Sequence, residues 1–106
     1  MGNFKDLIVW QKSMELVKCV YDFTNTLPKS ESYNLTEQMR RAVVSVSSNI
    51  AEGCERKTTK DYLRFLNIAA GSVAELFTQL EICKTVNYIT EENKQLFEPA
   101  NLLQTR

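Results

Sequence analysis

Apolar residues recur at alternating steps of three and four along most of the chain, which is the spacing of one face of an α-helix. From Leu7 onward this spacing produces two neighbouring rows. The first row consists of Trp10, Met14, Val17 and Tyr21, and the second consists of Val9, Leu16, Val20, Phe23 and Leu27. Because adjacent residues are ~100° apart on a helix, the first predicted helix is apolar over a wide arc. It should end before Pro28.

A second amphipathic helix is predicted from about Glu37 to Glu52. Its apolar row is Met39, Val43, Val46 and Ile50. Thr36 is the expected N-cap, because its hydroxyl can accept a backbone N–H that the first turn leaves unpaired. Gly53 suits the left-handed position that follows many helices.

The third predicted helix has the most regular apolar row in the chain. Its members are Tyr62, Leu66, Ala69, Val73, Leu76, Leu80 and Cys83. Thr58 and Asp61 have the spacing of a capping box, so the helix should begin there. Gly71 lies in its interior, where glycine costs about 1 kcal/mol relative to alanine, and we expect it to permit the close approach of another helix.

A fourth helix is expected after Asn87, beginning near Thr90 with the acids Glu91 and Glu92 in its first turn. Pro99 should kink or split it. Its apolar residues are Leu96, Phe97, Leu102 and Leu103. Short connections between four such helices predict one all-α domain over residues 1–106, an antiparallel up-down-up-down four-helix bundle.

The composition argues against catalysis. The 106 residues include 13 bases, 13 acids and no histidine. Without histidine there is no base for most nucleophilic triads and no ligand for the usual zinc, di-iron and haem sites. Glu52, Glu75 and Glu81 are best interpreted as solvated surface acids. We therefore predict no enzyme, cofactor, metal or small-molecule substrate.

The cysteines and the absence of a long apolar run predict a cytoplasmic protein with no membrane partner. No segment approaches the ~20 apolar residues of a membrane span, and no signal peptide is recognisable. Three cysteines cannot all pair within one chain. Cys19 and Cys83 should behave as small buried apolar residues, whereas Cys54 is expected in a loop.

Six bases are the candidate nucleic-acid-binding residues. They are Arg40 and Arg41, early in the second helix, and Arg56, Lys57, Lys60 and Arg64, around the start of the third. Lys57, Lys60 and Arg64 have the spacing of one helical face and could contact successive phosphates. Phe65 is a candidate for stacking on unpaired nucleobases. The alternative is a solvated face with local ion pairs to acids such as Glu52, Glu55 and Asp61.

Several sequence blocks carry a family resemblance. They are residues 6–12 (DLIVWQK), 35–42 (LTEQMRRA), 48–53 (SNIAEG), 65–69 (FLNIA) and 74–76 (AEL). The chain resembles the bacterial four-helix bundle proteins encoded within intervening sequences of large-subunit ribosomal RNA genes. Relatives include the accessory variability protein of diversity-generating retroelements, a homopentamer that associates with RNA and reverse transcriptase. The resemblance implies a pentamer and a nucleic-acid role, and it implies no catalytic activity.

The leading hypothesis is a non-enzymatic, homo-oligomeric helical scaffold that binds RNA, DNA or a nucleic-acid enzyme such as reverse transcriptase. The wide apolar arc of the first helix, with Ile68 and Ile82 on the third, favours self-association. The alternative is a structural or protein-interaction module with no nucleic-acid role. A hydrolase that uses only carboxylates, through Glu52 or Glu75, is a third and weaker hypothesis.

Overall fold

A computed structural model describes residues 3–94. It contains three α-helices: α1 (Ile8–Thr24), α2 (Leu35–Cys54) and α3 (Thr59–Thr85). Short 3-10 helices at Phe4–Asp6 and Lys29–Glu31 precede α1 and α2. The predicted all-α class is confirmed. The predicted count of four helices is not met within residues 3–94, because the segment assigned to the fourth, including Pro99, lies mostly outside the described residues.

Helix α2 lies between the other two helices and packs against both, whereas α1 and α3 have no pair of Cα atoms within 8 Å of each other. Side chains of all three helices nevertheless belong to one core cluster. The larger core cluster is built around Leu16, Val20 and Phe23 of α1, Met39, Ala42 and Val43 of α2, and Leu76, Leu80 and Cys83 of α3. A smaller cluster of Val46, Ile50 and Ala69 continues the core toward the α2–α3 turn.

The fully buried apolar residues of α1 come from its second apolar row, while Trp10 and Val17 of the first row are partly buried against the core. Leu16, Val20 and Phe23 of the second row are fully buried, whereas Met14 and Tyr21 of the first row are 42% and 38% exposed. The contact with α2 includes a polar pair, in which the buried hydroxyls of Ser13 and Ser47 lie 2.8 Å apart. The wide apolar arc predicted for this helix is therefore larger than the surface it buries against residues 3–94.

The boundaries of α2 differ from the prediction at both ends. The helix begins at Leu35, so Thr36 is not its N-cap, and Asn34 holds that position. The Glu31 side chain accepts hydrogen bonds from donors at this helix end. Its Oε1 accepts from Asn34 Nδ2 at 3.0 Å and from Leu35 N at 3.5 Å. At the other end the helix continues through Gly53 to Cys54, so Cys54 is a buried helical residue and not a loop cysteine.

Neither helical glycine has the role that the sequence suggested. Gly53 has no positive φ, and a Cβ atom there would lie 3.0 Å from the Cβ of Phe65 and 3.1 Å from Cδ1 of Tyr62. A Cβ at Gly71 would meet nothing within 4 Å. Within the described chain, the close helix approach therefore belongs to Gly53, and the expectation that placed it at Gly71 is wrong.

Both ends of α3 are capped. The predicted N-cap is confirmed, since Thr58 Oγ1 accepts a hydrogen bond from the backbone N–H of Asp61 at 3.1 Å. At the C-terminus Asn87 adopts φ 67°, and the backbone N–H of Tyr88 donates to the carbonyl of Cys83 at 2.7 Å. This is a Schellman arrangement. It turns the chain so that the Tyr88 hydroxyl donates to Glu31 Oε2 at 2.8 Å, and this hydrogen bond lowers the pKa of the Glu31 carboxyl.

The cysteines follow the prediction in part. Cys83 is fully buried beside Met39, and desolvation raises the pKa of its thiol to about 11. Cys19 is only half-buried. No helix within residues 3–94 is long and apolar enough to cross a membrane.

The glycine contacts predict opposite outcomes for two matched substitutions. Gly71→Ala should stabilise the fold by up to about 1 kcal/mol, because alanine is the better helix former and its Cβ meets open space. Gly53→Ala should leave the protein roughly 1–3 kcal/mol less stable than Gly71→Ala, because the added methyl group forces α2 and α3 apart. Urea unfolding of both variants measures the difference. Equal free energies of unfolding would show that α3 does not approach closely at Gly53.

Candidate nucleic-acid interface

The turn between α2 and α3 brings together four of the six predicted bases. Arg56 and Lys57 lie in the turn itself, between Cys54 and Thr59, while Lys60 and Arg64 lie in the first two turns of α3. We call these four residues the basic corner. Arg40 and Arg41 lie in the second turn of α2. At 1.5 Å per residue, they are roughly 20 Å from the basic corner along the helix axis. The structure does not bring them to the corner.

The local sequence explains how the corner is held. The backbone N–H groups of Glu55 and Arg56 donate to the carbonyls of Glu52 and Gly53, which closes the last turn of α2. Arg56 Nε also donates to the Glu52 carbonyl at 3.1 Å. A cation is favourable at this position because the C-terminal end of a helix is electronegative. The Thr58 cap then starts α3 immediately, so the bases are carried by a short and well-defined turn.

Phe65 lies at the centre of the corner. The guanidinium carbon of Arg64 is 4.7 Å from the centroid of its ring, and that of Arg56 is 5.0 Å away. Cations are attracted to the faces of aromatic rings at such distances. The ring is half-buried and its Cβ packs against Gly53. The sequence identified Phe65 as a stacking candidate but gave no sign that two arginines lie over it.

The charges of the corner are not neutralised by neighbouring acids. Within residues 3–94 the ion pairs closer than 4 Å are Lys18–Asp22, Arg41–Glu37 and Lys94–Glu91, and none of them involves the basic corner. Although Glu52, Glu55 and Asp61 are close in sequence, their carboxylates do not pair with these bases. The local ion pairs expected for a solvated face are therefore not formed in this part of the chain.

Arg40 and Arg41 differ from the basic corner because both bind polar or acidic side chains of the protein. Arg40 donates to Thr24 Oγ1 at 2.8 Å and to Asn25 Oδ1 at 2.9 Å, and its guanidinium lies 4.5 Å from the centroid of the Tyr21 ring. These contacts fasten α2 to the C-terminal end of α1. Arg41 pairs with Glu37 at 3.2 Å. Both arginines thus make a hydrogen bond or an ion pair to another side chain, which no residue of the basic corner does within residues 3–94.

A shallow depression of about 580 Å³ borders the basic corner on α3. It is lined by Lys60, Asp61, Leu63, Arg64, Asn67 and Ile68. Leu63 is 51% exposed and Ile68 is 43% exposed, so apolar surface adjoins the cations. The sequence gave no reason to associate Asn67 with the bases.

The acids considered for catalysis lie on the surface. Glu52, Glu75 and Glu81 are all exposed. No group of three or more histidine, cysteine, aspartate or glutamate side chains within residues 3–94 is arranged to hold a metal ion.

Residues 3–94 thus define an all-helical protein with the basic corner at the turn between α2 and α3. Comparison with known families identifies it further. The 23S rRNA-intervening sequence protein family matches residues 5–104, and the chain belongs to this family. No curated protein matches the chain significantly.

Proposed function

We propose that this chain is a non-enzymatic, oligomeric helical scaffold that binds RNA or DNA through the basic corner. The observation that carries the proposal is the cluster of four cations with no carboxylate within 4 Å in the described chain. Like charges held together without counter-charges repel each other, and a bound anion relieves that repulsion. A nucleic-acid backbone supplies anions at regular short intervals.

The size of the corner limits the affinity of one subunit. The chain has a net charge of zero, so no long-range field attracts a polyanion, and binding depends on the local contacts. Four bases can neutralise at most four phosphates. We therefore expect weak binding by a single corner and stronger binding when several corners act together.

Oligomer formation would supply that multivalency. Ile8, Val9 and Met14 of α1 and Leu63, Ile68 and Ile82 of α3 are each more than 40% exposed. We propose that subunits bury part of this apolar surface against each other. The resemblance to the accessory variability protein favours a ring of five subunits.

Binding measured against salt concentration tests the nucleic-acid role. With fluorescent single-stranded RNA and DNA as ligands, we plot the logarithm of the binding constant against the logarithm of the salt concentration. For a single corner we expect a slope of up to about −2.8, because each of four neutralised phosphates contributes about −0.7. Replacing Arg56, Lys57, Lys60 and Arg64 together by alanine should abolish binding.

The matched control removes the same charge elsewhere, by replacing Lys5, Lys12, Lys29 and Lys84 with alanine. These lysines are outside the corner, so this variant should retain most of the affinity. Equal losses in the two variants would mean that only net charge matters. Absence of binding to wild-type protein at low salt would remove the nucleic-acid role and favour the protein-interaction alternative. A partner such as reverse transcriptase would then remain bound after nuclease treatment.

Light scattering tests the oligomer. The proposal predicts a species of five times the 12.2 kDa chain mass. Ile68→Lys combined with Ile82→Lys should dissociate it, because charge on the exposed face of α3 opposes burial. The control is Val44→Lys, because Val44 has a similar exposure of 42% but lies on α2, outside the proposed surface. A wild-type monomer at micromolar concentration would rule out the oligomer.

A further inference from the structure

Two arginines from different segments share one aromatic ring in the basic corner. Arg56 belongs to the turn after α2, Arg64 belongs to α3, and both guanidinium carbons lie within 5.0 Å of the centroid of the Phe65 ring. The two cations are therefore no farther apart than the sum of those two distances. The two cations repel each other, and the attraction of each for the ring opposes that repulsion.

The ring positions the cations without cancelling their charge. Arg41 illustrates the contrast, because its pairing with Glu37 at 3.2 Å neutralises it locally. Phe65 carries no charge, so Arg56 and Arg64 remain cationic toward an incoming ligand. The ring is itself fixed in place, because the Cβ of Phe65 packs on the bare backbone of Gly53.

Most hydrogen-bond donors of the two arginines are available. Arg56 uses Nε to donate to the Glu52 carbonyl, which leaves its two terminal nitrogens. Arg64 makes no hydrogen bond to any residue between positions 3 and 94, and its guanidinium group lies over the Phe65 ring. Planar guanidinium groups match the oxygens of a phosphate with paired donors, which an ammonium group cannot reproduce.

We propose that Arg56 and Arg64 form a single phosphate-binding site for a nucleotide phosphate, and that Phe65 is its positioning residue. This inference rests on the proposed nucleic-acid binding and makes it specific. Phe65 does not stack on a nucleobase in this scheme, because the arginines lie over its ring. Lys57 and Lys60 contribute charge around the site and do not define its geometry.

Charge-conserving variants of the full-length protein separate this site from a diffuse basic surface. Phe65→Leu keeps an apolar side chain against Gly53 but removes the ring. It should weaken oligonucleotide binding about five- to thirtyfold, because two cation–π contacts are lost. Arg56→Lys with Arg64→Lys should weaken it similarly, since the paired donors are lost. The control Arg41→Lys should bind like wild type.

A double-mutant cycle tests whether Phe65 acts through the arginines. In protein carrying Arg56→Ala and Arg64→Ala, the further change Phe65→Leu should have no effect on affinity, because nothing remains to be positioned. An equal effect of Phe65→Leu in both backgrounds would overturn the positioning role. Urea midpoints of all variants identify any change that comes from unfolding alone.

The probes identify the phosphate. Single-stranded oligonucleotides with and without a 5′-phosphate distinguish a terminal from an internal group. An uncharged peptide nucleic acid of the same sequence should not bind, and its binding would contradict a phosphate site. If wild-type protein binds RNA or DNA and the Phe65→Leu and double-lysine variants bind equally well, this inference fails while the proposed function stands. If wild-type protein binds neither, both fail.

Discussion

The contact of Gly53 with Tyr62 and Phe65 determines where α3 lies against α2, and the arrangement of the basic corner depends on it. A methyl group at Gly53 would come within 3.0 Å of the Phe65 Cβ, which is closer than packed side chains tolerate. The glycine thus lets two helices meet at their ends, immediately beside the turn that joins them. Both core clusters extend from this contact along α2.

That contact also explains why the cations lie together. Arg56 follows the end of α2, and Arg64 lies in the second turn of α3. Their guanidinium groups both lie near the Phe65 ring because the two helices pack against each other there. The attraction of an aromatic ring for a cation is modest, about 0.5–1 kcal/mol at an exposed site. It suffices to position side chains that have no acidic partner. A structural packing requirement and the proposed anion-binding surface therefore share the same residues.

The sequence predicted the three described helices, the Thr58 cap and four of the residues of the corner, since these depend on local periodicity and short-range hydrogen bonds. It could not decide which apolar row of α1 faces the core, because both rows have helical spacing and the answer depends on the position of α2. For the same reason it assigned the close approach to Gly71 in place of Gly53. Nor could it separate Arg40 from Arg56, because the partners of Arg40, Thr24 and Asn25, are distant in sequence.

Amide chemical shifts measured during titration with a single-stranded oligonucleotide test the central claim most directly. The account predicts that the largest changes occur between Gly53 and Ile68, where the turn, the Phe65 ring and the apolar depression lie. The region around Arg40 and Arg41 should change little, because their side chains already have protein partners. Shifts concentrated around Arg40 and Arg41, or spread evenly over the surface, would contradict the assignment of the basic corner as the nucleic-acid interface.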